Sequence, residues 1–157
     1  MVSKNIQIVG RVMMIMVLMF IWGNSLLKAS ESAQISSNVT EKIVEIAETV
    51  DKAVGTDLKS KITDFVIRKV AHFTQFAVLG IFTVLGFWKN KAMGLYIGVF
   101  SACTDEFIQI FVPGRGPQLR DVGIDSAGFI IGFLLCFTAV KLIYINKQNH
   151  FRKETGN

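Results

Sequence analysis

"CTDEFIQIFVPGRGPQLRDVGIDSAG", residues 103–128, decides how the whole chain is read. It lies between two long apolar stretches and turns on Pro113-Gly114. It also carries Asp105, Glu106, Gln109, Arg115, Arg120, Asp121 and Asp125. Two apolar runs joined by so short a link form antiparallel neighbours, and the charges gather at the closed end of that hairpin.

Working outward, the apolar character holds along the chain. Of 157 residues, 51% are hydrophobic and only 18% charged, whereas a soluble domain carries nearer a quarter of its residues as charge. The apolar residues come in blocks rather than in half-and-half alternation. Four blocks, about 6–27, 64–88, 93–112 and 122–145, approach the roughly 20 residues an α-helix needs to cross a bilayer. The expectation is an all-α membrane protein: one domain over 1–157 with four transmembrane helices, an outer loop over 28–63 and a polar tail over 146–157. A basic start, an apolar centre and small residues near Ala29 also fit a secretory signal. The length of the first block and the outer-end Trp22 favour a retained helix.

The segment before the second block is the only extended hydrophilic one. Ile43, Ile46, Ala47, Val50, Val54 and Leu58 recur at helical spacing, and Asn38 with Glu41 has the spacing of an N-terminal capping box. An amphipathic helix is expected there, lying on the membrane or over its partner helices.

Lysines and arginines set the orientation, because they are retained on the cytoplasmic side. With the N-terminus inside, Lys4, Arg11, Lys89, Lys91, Lys141, Lys147, Arg152 and Lys153 are all cytoplasmic. The protein is then expected in the cell membrane, multi-pass, with both termini cytoplasmic. The formal charge of +5 suits anionic headgroups rather than nucleic acid once the apolar blocks are considered. Cys103 and Cys136 fall inside apolar blocks and read as small apolar fillers.

This topology brings distant charges to one level. His72, Asp105 and Asp125 each lie roughly 5–12 Å below the outer helix ends at 1.5 Å rise per residue. Arg68, His72 and Gln75 share a stripe on the second helix, Asp105 and Gln109 share one on the third, and Asp121, Asp125, Gly128 and Gly132 line the fourth. Gly128 and Gly132 allow close approach of a neighbouring backbone. A carboxylate at a helix N-terminus is favourable, which accounts for Asp121. Asp105 and Glu106 sit near a C-terminal end, on the wrong side of the dipole, and point to a working site.

These positions resemble the VanZ-like family of small bacterial membrane proteins. The likeness rests on "RKVAHFTQFAVLG" at 68–80, on "DEFIQIFVPGRGPQLRDVGIDSAGFIIG" at 105–132, and more weakly on "WGNS" at 22–25. The family often has an acid and a tyrosine where Gln75 and Phe76 stand, and an asparagine where Asp125 stands. The resemblance implies a multi-pass membrane protein of the cell envelope, in a family whose founding member is associated with resistance to the glycopeptide teicoplanin. It brings no established reaction.

The function expected is binding of a polar lipid headgroup or cell-wall-related ligand at an outer-leaflet charged site, with a role in teicoplanin resistance. Arg68, Lys69, Gln109, Arg115, Arg120, Asp121 and Asp125 are the ligand-binding candidates, because arginines hold phosphate or carboxylate bidentately. The alternative is a membrane enzyme acting on a lipid-linked substrate. There His72 with Asp105 or Glu106 serves as the catalytic acid–base pair. A transporter is disfavoured by the scarcity of polar residues in the inner halves of the helices. Two carboxylates and a histidine are able to hold a divalent ion, but their spacing carries no metal signature, and no metal or cofactor is expected. Expected partners are membrane lipids, with a cell-wall precursor or a glycopeptide as candidate and no nucleic acid; self-association is left open.

Overall fold

The structure, a computed structural model, describes residues 2–27, 29–54, 64–116 and 118–155. Among the described residues the architecture is all-helical: α1 (Lys4–Ser25), α2 (Ala29–Val54), α3 (Asp64–Gly86), α4 (Lys91–Ile110) and α5 (Leu119–Thr155). Local chemistry sets two of the starts. Ser3 caps α1, its hydroxyl accepting from the Ile6 N–H, and the Asn90 side chain caps α4 by accepting from the Met93 N–H at 3.1 Å.

Three of the helices, α1, α3 and α5, are long and apolar enough to cross a membrane. The fourth expected span, α4, is not among them. It has the length, 20 residues, but its inward face carries Ser101, Asp105, Glu106 and Gln109, which lower its mean hydropathy. Its opposite face exposes Leu95, Val99, Phe100 and Phe107. In water so much exposed apolar surface is a liability; against lipid tails it costs nothing.

The helices alternate in direction. At one end the start of α1 meets the end of α3, where the Arg11 Nε–H donates to the Gly86 carbonyl at 3.1 Å. Lys91, opening α4, lies at the same end over the rings of Trp88 and Phe137, at 5.7 and 5.1 Å. At the other end, the close of α1 and α4 meets the start of α3 and α5. The hairpin read from residues 103–128 is therefore present, with its turn at this second end.

The most extensive interface joins α3 to α5, and glycine makes it possible. A β-carbon added at Gly128 would strike the Phe73 carbonyl, one at Gly132 the Ala77 carbonyl, and one at Gly80 the Phe129 carbonyl. Backbones in such contact gain dispersion energy over their length, which is what holds helices together where lipid is as apolar as the side chains. The core around the seam is Met14, Ile21, Phe76, Leu79, Val84, Ala102, Phe129 and Phe133.

Two details differ from expectation. The hydrophilic helix begins at Ala29, so Asn38 lies well inside it and does not cap it. The apolar periodicity from Ile43 continues an existing helix instead of starting one. Leu58 lies outside the described residues. At the other end of the chain, α5 does not stop with its apolar block near Ile145 but continues helical to Thr155. At 1.5 Å per residue its 37 residues reach about 55 Å, well beyond a hydrocarbon core. α2 packs on α3, with Ala47 buried, and its Ile35 and Val39 face the end of the bundle where the charges collect.

Candidate functional site

The hairpin turn is built by its own residues. The Arg115 N–H donates to the Val112 carbonyl at 3.1 Å, and Gly114 has φ 79°. Proline at the second position and glycine in the left-handed region at the third make a type II turn. The turn swings Arg115 back over the bundle, where its Nη2 donates to the Asn24 carbonyl at the end of α1, at 3.4 Å. Burial lowers the Arg115 pKa from its ordinary value, and the Arg68 charge nearby lowers it further, against the opposing pull of Asp105 and Glu106. Guanidinium basicity is high enough that Arg115 stays charged. Two cations held this close invite an anion.

Beneath the turn, α3, α4 and α5 each present an ionisable group. Asp105 is 0% exposed and Asp125 1%. Each faces His72: the ring Nδ1 is 3.9 Å from Asp105 Oδ2 and 3.8 Å from Asp125 Oδ1. Counting at 1.5 Å per residue, Asp105 lies about 8 Å from the end of α4, Asp125 about 9 Å from the start of α5, and His72 about 12 Å from the start of α3. Faces and depths thus agree with the sequence-based expectation. Lys69 pairs with Asp121 across the starts of α3 and α5.

Asp105 is held on both sides. Its Oδ1 accepts from the Ser25 hydroxyl at 2.5 Å, and its Oδ2 from the Gln109 amide at 3.0 Å. Hydrogen bonds to a charged acceptor are the strong ones, and a buried carboxylate requires them. Ser25, fully buried, was not among the residues expected here. Its signal in the sequence was the last letter of "WGNS", a small polar residue closing an apolar helix.

The neighbouring carboxylate has other work. Glu106 Oε2 accepts from the Gln118 N–H at 2.9 Å, just ahead of α5. Glu106 therefore ties the turn to the hairpin, while Asp105, one residue earlier and about 100° around the helix, meets His72. Arg120 is exposed and lines neither of the cavities found here among the described residues.

A cavity of about 210 Å³ opens among these groups. It is lined by Arg68, Lys69, His72, Gln109, Arg115 and Asp125, with Gln118 and Asp121 also contributing. A second, of about 160 Å³, lies under α2 against Ile35, Val39 and Ala71, and it shares Arg68, His72 and Arg115 with the first. Polar atoms are left over at their walls. Arg68 Nε, Gln75 Oε1, Asp121 Oδ1 and Asp125 Oδ2 are buried without a hydrogen-bond partner. Buried polar groups are usually satisfied, so these atoms are the ones at the cavity walls available to water or a ligand.

No curated protein and no solved structure matches the chain. A protein-family model described as VanZ/LLP1 matches residues 11–143, a range that holds α3, α4, the turn, the apolar part of α5 and every polar group around the cavity. The chain belongs to the VanZ/LLP1 family.

Proposed function

We propose that this protein is a cell-envelope membrane protein that binds an anionic ligand, a lipid headgroup or a cell-wall-related molecule, in the charged cavity. In this reading α4 crosses the membrane with α1, α3 and α5, both termini are cytoplasmic, and the cavity faces the outer leaflet. The lysines and arginines at the Arg11–Gly86 end support that orientation.

The observation that carries the reading is Arg68. Its Nε is buried without a partner, on the wall of both cavities, within reach of the Arg115 charge. A buried guanidinium N–H with no acceptor is costly. A phosphate or carboxylate placed between two arginines restores both sets of hydrogen bonds in bidentate geometry. The apolar second cavity beneath α2 would take the first part of an acyl chain attached to such a headgroup. Protection against teicoplanin would then follow from capture or masking of a wall-related ligand at this surface.

The test is native mass analysis of the protein purified with its lipids, with Arg68→Ala and Arg115→Ala beside it. A specific anionic species should accompany the wild type and be lost from both variants, together with any teicoplanin protection. Unaltered protection and unaltered co-purification in both variants would remove the idea.

A second reading rests on the pairing of His72 with Asp105. An imidazole facing a buried, doubly hydrogen-bonded carboxylate has the parts of an acid–base pair acting on a lipid-linked substrate. Glu106, engaged with Gln118, is the weaker of the two carboxylate candidates. Turnover of a lipid-linked substrate that disappears in His72→Gln, with ligand binding retained, would favour this reading over binding alone.

A further inference from the structure

We propose that His72, Asp105 and Asp125 form a binding site for one divalent cation of the zinc or manganese class. The inference stands on geometry and does not require the anionic ligand proposed above.

One ligand atom from each residue lies within 4.8 Å of the other two. The His72 Nδ1 distances, 3.9 Å to Asp105 and 3.8 Å to Asp125, are too long for hydrogen bonds. Atoms that share a tetrahedral ion through bonds of about 2.0–2.2 Å stand roughly 3.3–3.6 Å apart. The two His72 separations are slightly longer than that, and the trio as a whole must close by up to about 1.5 Å around an ion.

A second observation points the same way. Asp125 is 1% exposed, and its Oδ2 is buried with no partner on the wall of the cavity that His72 also lines. A buried carboxylate oxygen with nothing to accept from is a site for positive charge. Asp105 is prepared in the way that metal-binding carboxylates are, with Ser25 and Gln109 holding it from behind. Two carboxylates facing each other across one imidazole carry charge that a dication neutralises, deep between helices where lone charges are expensive.

The donor set selects the class. An imidazole favours zinc, iron or nickel over magnesium, and two carboxylates admit manganese. Three protein donors leave further coordination positions, and two of the three donors, His72 and Asp125, line the cavity together with Arg68 and Arg115. An anionic oxygen entering there would meet both guanidinium groups and the ion.

The experiment uses the full chain in detergent, stripped with a chelator and dialysed, then titrated separately with Zn²⁺ and Mn²⁺ while bound metal is counted by elemental analysis. One ion per chain is expected for at least one of the two. Affinity should fall by more than about 100-fold in Asp125→Asn and His72→Gln, beyond the ~10–100-fold typical of losing only a supporting partner, which is the loss expected of Ser25→Ala. Glu41→Gln, exposed on α2, should bind as the wild type does. Wild-type protein that takes up no stoichiometric ion overturns the proposal, whatever the variants do. So does an ion retained undiminished in both folded variants, since it would be held elsewhere. Wild-type protein that binds the ion but carries no anionic species from its membrane would sink the ligand reading and leave this one standing.

Discussion

Replacing Gly132 by alanine tests whether the α3–α5 seam sets the site. A β-carbon at Gly132 would lie 2.6 Å from the carbonyl carbon of Ala77 and 2.8 Å from its α-carbon. Both are backbone atoms, so no rotamer change relieves the overlap. The Ala77 carbonyl oxygen is nearer still, so reaching ordinary contact distance requires the helices to part locally by more than roughly 1 Å, in an interior packed too densely to absorb it elsewhere. Overpacking of this kind costs about 1–3 kcal/mol, offset by up to ~1 kcal/mol because alanine favours the helix over glycine. A net loss of about 1–2 kcal/mol should lower the thermal midpoint by about 2–8 °C in a chain of this size. The assay is thermal unfolding in detergent followed by circular dichroism. Gly123→Ala is the internal reference: it lies on the same helix with nothing within 4 Å of its added carbon, so its midpoint should stay level or rise. The separation would also draw Asp125 from His72, and ligand and ion binding should weaken along with stability. A Gly132→Ala protein as stable as Gly123→Ala, with binding intact, refutes the claim that glycine contacts determine the helix spacing.

Other outcomes follow from single contacts. Ser25→Ala removes a 2.5 Å hydrogen bond to a buried carboxylate and should cost about 1.5–3 kcal/mol, read as a fall in the detergent unfolding midpoint; Ser25→Thr, which keeps the hydroxyl, should recover part of it. Lys69→Met and Asp121→Asn should each destabilise, but the double variant should lose less than the sum, with a coupling of about 0.5–3 kcal/mol in a double-mutant cycle; strict additivity would mean the ion pair contributes nothing. Gly114→Ala places a side chain at φ 79°, at a cost of roughly 1–2 kcal/mol. Because that turn aims Arg115, retention of the anionic ligand should drop more than thermal stability does, which parallel measurements of the two would check.

Several features were determined by the sequence alone. The apolar blocks specify where the long helices lie, because chain length against bilayer thickness leaves few other arrangements, though not that α5 runs on past its block to Thr155. Short links specify that α4 and α5 run antiparallel, and Pro113-Gly114 specifies the turn between them. The i, i+4, i+7, i+11 spacing of Asp121, Asp125, Gly128 and Gly132 specifies one inward line on α5. These are properties of a helix as an isolated object, and a helix's own geometry is enough to read them.

Tertiary structure decided what the isolated helices leave open, namely how each is rotated and what stands opposite. Asp105 and Glu106 are adjacent in sequence and alike in chemistry, yet only packing turned the first to His72 and the second to Gln118. Ser25 became part of the site because α1 ends level with α4, a relation between segments 80 residues apart that no local pattern carries. The grouping of His72, Asp105 and Asp125 is of the same kind. Its members come from three helices, so their spacing along the chain follows loop and helix lengths rather than coordination geometry. The close glycine seam between α3 and α5 sets the spacing of His72 and Asp125, and the packing of α4 brings Asp105 to them.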